Sequence, residues 1–438
     1  MAACWLALAL GVAPLADARA LGTAHRTVVL QERAMVQDTV PPVRVDVDVA
    51  AGNSRIRNEG SDPEQFVTFG FMPEFYYRKL GVGLLLRLHV RAENGKVRDE
   101  DFNERRDYLA LLYFVEYGEE SDPGGYGRFG SIEEATLGYG LFVDRYTNEV
   151  SVDHPMRGLT GALATDRLRL EGMYNDLADP GAFGVHATYR PFGVEDESGM
   201  PRFTIGGGLA AELSGRRAFV NPTTPGTPFL IDPPSDAAST EDVPYGVDDG
   251  DLYMVGVDAG VRWIHHERAS LVTFAEAAKI VGYGVGATLG VQGEGRIGDV
   301  RIGAQYEQRF LGEQFLPDYF GPTYEAERIR SVELPAEGEQ TIEAVTTRRN
   351  ELAGRRRSAL GFKAEVEGDY AEVVESTLGY ATIWGEPGSA RFYVDLEVHA
   401  QAVPVSVRLG YNRFAMESLR DVFLPSHEDV LYRIEGRL

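Results

Sequence analysis

A chain of 438 residues with a single cysteine, eight methionines and no long apolar run has few ways to be built. The cysteine is Cys4, inside an N-terminal apolar stretch, so everything beyond that stretch lacks thiols. Disulfides, thiolate catalysis and cysteine metal centres are excluded there. Positive charge is also short: 43 Lys and Arg face 67 Asp and Glu, a net −24, which is the wrong sign for a phosphate-binding surface and excludes nucleic acid as a partner. No window after the N-terminal stretch offers about 20 consecutive apolar residues, so no helix there is expected to cross a bilayer. Gly-x-Ser-x-Gly is missing as well, which removes the commonest signature of an exposed serine nucleophile.

What is abundant is glycine (50 residues) and aromatics (21 Tyr, 21 Phe). The N-terminus, MAACWLALALGVAPLADARA, has an apolar core followed by two small-x-small patterns ending at Ala18 and Ala20, and reads as a signal peptide over 1–20 without the usual basic residue ahead of its core. Export to a bacterial envelope is the expectation. Beyond it, apolar and polar residues alternate at period two from about residue 80 to the C-terminus. Phe392, Val394, Leu396, Val398 and Ala400 share one face against Arg391, Tyr393, Asp395, Glu397, His399 and Gln401. Val403, Val405, Val407, Leu409 and Tyr411 oppose Ser406, Arg408 and Asn412. Tyr253 to Trp263 and Val300 to Tyr306 repeat the pattern.

A soluble sandwich also alternates, but its strands average about five or six residues. These runs last about 9 to 13, the length a tilted strand needs to cross hydrocarbon, and Tyr253, Trp263, Tyr306, Tyr380 and Tyr411 fall where interfacial aromatics belong. The expected fold is all-β: a single antiparallel transmembrane β-barrel of about 16 strands (range 14–18) over 65–438, with short periplasmic turns and long extracellular loops. Strands are placed near 79–91, 107–117, 126–142, 157–164, 166–175, 182–191, 201–213, 251–264, 269–280, 282–292, 297–308, 357–367, 371–383, 389–401, 403–414 and 427–438. The long gaps 92–106, 143–156, 214–250, 309–356 and 415–426 all follow odd-numbered strands, as one-sided loops must. The join at Val281 breaks the rule of length, and 126–142 is too long for one crossing. Residues 21–64 read as a periplasmic lead-in or small plug, and QFVTFGFMPEFYY (65–77) as a further strand, a plug or part of that lead-in.

The closing residues Val430, Tyr432, Ile434 and Gly436 alternate with Leu431, Arg433, Glu435 and Arg437 up to Leu438. This resembles the last strand of bacterial outer-membrane porin-like proteins, although those usually end in Phe or Trp. FGSIEEATLGYGLFVDRYTN (129–148) and FLPDYFGPTYEAERIR (315–330) are similar to stretches of poorly characterised outer-membrane barrels, with no chemistry attached. The resemblance implies an outer-membrane location, lipid as surroundings, and recognition of the final strand by the barrel-assembly machinery.

On this reading the interior carries Arg87, His89, Arg91, Arg169, Glu171, Arg190, Arg202, Glu212, Asp258, Arg262, Arg301, Glu307, Lys363, Glu365, Glu367, Arg391, Asp395, Glu397, His399 and Arg408. Two readings stay open. The charges line a hydrophilic pore for small hydrophilic solutes, or they pair and brace a lumen that conducts nothing, in a barrel that serves as structure or a surface platform. Arg348, Arg349, Arg355, Arg356 and Arg357 form a basic run that reads as an inward constriction loop or an anionic-lipid site, against a solvated loop base neutralised by Glu351. Of the strand histidines, His89, His186 and His399 face inward with no nucleophile beside them, and Ser214 sits at a loop edge, so an embedded hydrolase is the remote alternative and no enzyme is expected. His265-His266 lacks carboxylates for a metal, Glu241, Asp242, Asp248, Asp249 and Asp251 lack calcium-loop spacing, and Gly206-Gly207-Gly208 lies within a strand, where it makes room for bulky neighbours. No cofactor is expected.

Overall fold

The computed structural model describes residues 43–56, 64–98, 108, 111–118, 124–132, 134–148, 156–178, 181–193, 202–213, 218–219, 229–230, 247–248, 251–266, 268–335, 341–371, 373–386, 388–400, 405–416, 421–422 and 430–437. The signal peptide, Ser214 and most of the acidic loop 241–250 lie outside them. No described helix is long and apolar enough to cross a membrane.

Strands dominate, and each pairs antiparallel with the next. They are β1 (Val43–Ile56), β2 (Glu64–Tyr77), β3 (Leu80–Leu84, resumed after Leu85 as Leu86–Arg91), β4 (Leu112–Gly118), β5 (Gly124–Gly130), β6 (Gly158–Ala164), β7 (Leu168–Tyr174), β8 (Ala182–Tyr189) and β9 (Arg202–Glu212). The second half comprises β10 (Leu252–His266), β11 (Ala269–Ile280), β12 (Val285–Ile297), β13 (Val300–Leu311), β14 (Ala359–Tyr370), β15 (Val374–Ile383), β16 (Ala390–Ala400), β17 (Val405–Met416) and β18 (Val430–Arg437). The sheet has 19 hydrogen-bonded segments. Both halves of β3 pair with β2, so they are one interrupted strand and the wall has 18 among the described residues. The circuit closes where Ala51 of β1 pairs with Gly436 of β18.

The 16 expected strands are all present, and the two extra ones come from the N-terminal side. Val43–Ile56 pairs with β2 along its whole length, so this part of 21–64 is wall and not a lead-in or plug, and 65–77 is a strand. VRVDVDVA is thus an alternating strand like the others, only shorter in its apolar run. Adding a pair at the start leaves the parity of every later loop unchanged. Two boundaries move. The turn expected at Gly293–Gly295 falls at Gly298-Asp299, where Gly298 takes a φ of +60°, the left-handed conformation that a tight hairpin requires. The join at Val281 is a short turn over 281–284, with Gly282 at φ +82°.

The wall is apolar outside and polar inside. Phe69, Leu163, Val257, Leu289, Val366 and Leu378 are exposed on the outer face, the inverse of a soluble core and a composition that only lipid makes favourable. Tyr77, Tyr117, Tyr189, Trp263 and Tyr370 are all exposed at the ends carrying short turns, and Tyr253 and Trp384 at the ends carrying long loops. Those two rings are interfacial girdles. Tyr306 and Tyr411, expected in a girdle, instead lie mid-strand; the Tyr306 ring stacks on Phe362 at 6.1 Å.

Candidate functional site: a lumen filled by two infolded loops

The region 126–142 is one strand and the start of a plug. After Gly130 the chain leaves the wall, because its φ of +142° bends it inward and a Cβ there would collide with the Tyr113 carbonyl. Residues 131–148 then fold into the external half of the lumen. From the other side comes the chain after β13, which contributes Phe315 to Glu325, the short helix α1 (Tyr324–Glu327) and, later, α2 (Arg348–Gly354). Between the helices a hairpin of Ile329–Pro335 and Thr341–Thr347 pairs in register. Thr347 caps α2, its hydroxyl accepting from the Asn350 N–H at 3.0 Å.

The two loops are joined by backbone. Asp318 N–H donates to the Leu141 carbonyl (3.0 Å), Phe320 N–H to Phe142 (3.0 Å) and Asp144 N–H to Phe320 (3.1 Å), around a parallel bridge of Val143 and Phe320. Around this bridge Leu141, Phe142, Val143, Tyr146, Phe315, Tyr319, Phe320 and Tyr324 are fully buried and pack on Leu252, Met254, Ile280 and Leu311 of the wall. The apolar core of the molecule is therefore inside the barrel. Gly208 and Gly256 make the seat for Phe142, since a Cβ on either would press into its ring. Gly206 leaves the same kind of room for the Asp258 carboxylate. The glycine triplet is spacing for bulky neighbours, as its position within an alternating strand suggested.

Charges latch the plug to the wall. Lys363 Nζ donates to Asp144 of the infolded loop. Arg145 binds Glu134 at 2.9 Å and Glu365 at 3.1 Å, with its guanidinium 4.6 Å from the Tyr393 ring. Arg309 binds Glu307 at 2.9 Å and Asp318 in a fork at 2.8 and 2.9 Å. Tyr319 donates to Glu212 at 2.7 Å, and Glu276 accepts from the Leu141 N–H at 3.1 Å. Below this layer His186 bonds Asp258 at 2.6 Å and lies 3.8 Å from Glu171, which Arg169 binds at 2.8 Å.

The sequence-derived interior residues fall into two storeys. Glu212, Asp258, Glu307, Lys363 and Glu365 are buried in or just beneath the plug, His89 is buried on the long-loop half of β3, and Arg202 and Glu397 are buried nearer the short-turn end. Toward the short-turn end Arg169, Glu171, Arg190, Arg262, Arg301, Glu367, Asp395 and His399 keep partial access to solvent, and so do Arg87 in mid-strand and Arg91 and Arg391 at the ends carrying long loops. Arg301 meets Glu294 at 2.6 Å there. Arg408 lies on β17, paired with Glu397 and Glu435 in the ladder. The basic run divides. Arg348 and Arg349 are buried, Arg348 donating to the Asp318 carbonyl at 2.8 Å, and Arg355 reaches the Phe315 carbonyl and, at 2.6 Å, Glu386. Only Arg356 and Arg357 fit the solvated loop base. Among the described residues no group of three or more His, Cys, Asp or Glu side chains comes together as a metal site.

Burial alone would raise the Asp144 carboxyl, but the adjacent Lys363 ammonium, aided by Arg145 and Arg309, holds it below the ordinary carboxylate range. A carboxyl depressed on folding contributes stability above its unfolded value, and loses it as pH falls through the lower folded value. The latch is therefore expected to hold from neutral pH to about 5, and to fail only below the usual carboxylate range of roughly 4. Hydrogen exchange at the Asp144 and Phe320 amides, corrected for intrinsic pH dependence, checks this; loss of protection already at pH ~6 would contradict it.

No protein-family model and no curated protein matches the sequence. Among solved structures, similarity is found to Wzi, an outer-membrane protein involved in group 1 capsule assembly in Escherichia coli and described as a carbohydrate-binding β-barrel (10% identity, 90% of this chain and 83% of that one, TM-score 0.40). A BenF-like porin from Pseudomonas fluorescens Pf-5 (8% identity, 90% and 97%, TM-score 0.40) and OccAB2 from Acinetobacter baumannii (10% identity, 90% and 96%, TM-score 0.39) are also similar. Likeness at this level transfers no ligand and no residue role. By its closed ladder, its apolar outer face and the aromatics at its strand ends, the chain has the fold of a transmembrane β-barrel.

Proposed function

We propose that the barrel is a narrow channel for small hydrophilic solutes, with the two infolded loops as its constriction. The observation that carries this reading is the contrast between storeys. Charges beside the plug are buried, whereas on the short-turn side, Arg202 and Glu397 excepted, the charges keep access to solvent, Arg301 and Glu294 being 36% and 26% exposed and His399 38% exposed. Such partly hydrated charges of both signs suit a water-filled vestibule with a transverse field that favours polar solutes over apolar ones. A brace for a dry lumen would bury both storeys alike.

The plug also limits the channel. Loops latched at this many points leave a path far narrower than an 18-strand wall would otherwise enclose, so passage is expected to be small and slow. Single-channel recording of the full chain in planar bilayers tests it: small discrete conductance steps, with weak preference between cations and anions, are expected. A correctly folded barrel that never conducts would refute the channel and leave the non-conducting platform.

A further inference from the structure

The outer face is not uniformly bulky. At its external end the strands β10 to β14 enclose a cavity of about 710 Å³ on the lipid side. The ladder explains it. One lateral row runs Val257, Ala277, Ala287, Phe310, Leu360, each residue paired with the next. Two adjacent alanines thus leave a trough between the exposed Val257 and Phe310. Leu289, which pairs with Ala275 one outward step below Ala277, closes the trough toward the membrane centre. Toward the outside it stays open.

At that open end stand cations. Lys279, one outward step above Ala277, lines the cavity on one side, and Ser358 lines it on the other, directly after Arg356 and Arg357. All three basic side chains are exposed. None of them takes part in a hydrogen bond or ion pair among the described residues, in a chain with a net charge of −24. From β11 to β14 is three strand spacings, roughly 14 Å, so the cations flank the trough and do not cluster at one point. Tyr253 and Trp384 mark this height as the external interface.

We propose that this trough binds a lipid-A-class glycolipid of the outer leaflet, one carrying several acyl chains and two separated phosphates. The chains lie on Ala277 and Ala287, where roughly two fit side by side. One phosphate meets Lys279 and the other Arg356 and Arg357, as charge-assisted contacts at the edge of the hydrocarbon. The site lies on the opposite side of the wall from the lumen, so it stands whether or not the barrel conducts.

The test uses the full chain in detergent, titrated with bisphosphorylated lipid A and, separately, with its fully dephosphorylated form, binding being read by native mass spectrometry. The intact protein is expected to bind the phosphorylated form roughly tenfold to a hundredfold more tightly. K279Q/R356Q/R357Q should erase that preference, and A277L/A287L, which fills the trough with lipid-compatible side chains, should weaken both forms. Unheated gel migration reports whether each variant is folded, and the comparison of the two lipids on the unaltered chain needs no variant at all. Equal binding of the two lipids overturns the proposal. So does formation of a dimer that A277L/A287L abolishes without any lipid preference, which would assign the face to a second copy.

Discussion

Lys363→Met is expected to cost the plug about 3–5 kcal/mol, because it leaves the Asp144 carboxylate buried and unpaired. Both groups are almost wholly buried, the lysine on β14 and the aspartate on the infolded loop, so water cannot replace the lost partner. Amides of Asp144 and Phe320 should then exchange faster by roughly two to four orders of magnitude, while those of mid-wall strands stay protected. Adding Asp144→Leu should recover most of the loss, since two apolar groups in place of a buried pair are often neutral. Failure of the second change to compensate would mean that the carboxylate is held chiefly by its other neighbours, Arg145 and Arg309.

Phe142→Ala attacks the same plug through packing. The ring fills the seat left by Gly208 and Gly256, which have no side chains to take its place, so a loss of about 3–5 kcal/mol is expected. Phe320→Ala removes the aromatic that packs edge-on against Tyr319 (5.2 Å) and tilted against Tyr324 (4.8 Å), with a similar cost. Because this core lies inside the wall, losing it should leave the barrel closed but free the loops. Conductance in planar bilayers is expected to rise several-fold for either variant. A rise with Phe142→Ala and not with Lys363→Met would assign closure to packing, and the reverse would assign it to the ion pair.

The wall was legible because lipid outside and charge inside impose period two on every strand. Lys363, Glu365 and Glu307 could be placed by that alternation alone. Glu276 could not: its strand turns Phe274, Ala278 and Ile280 inward against the plug and Ala275 and Ala277 outward, so both faces read as apolar. Arg309 lies on the same face as Glu307, one step past the expected strand end. Asp144 and Arg145 belong to a segment with no period at all, and their partners on the wall, Lys363 and Glu365, lie more than two hundred residues away in sequence. Local pattern carries no information about such a pair. The boundary at Gly130 was visible only as an excess of length in 126–142, and it is there that the plug begins.

Among the described residues most neighbouring strands zip over seven to fourteen residues, but β1 and β18, the two strands farthest apart along the chain, meet at the pair Ala51 and Gly436. Nearly the whole polypeptide must be laid down before that seam can join, and among the described residues the seam is the shortest ladder in the cylinder. Assembly therefore ends where cohesion is weakest. If the cylinder ever parts sideways to the bilayer, the split starts at this join, on the far side of the chain's order from the loops that stopper it.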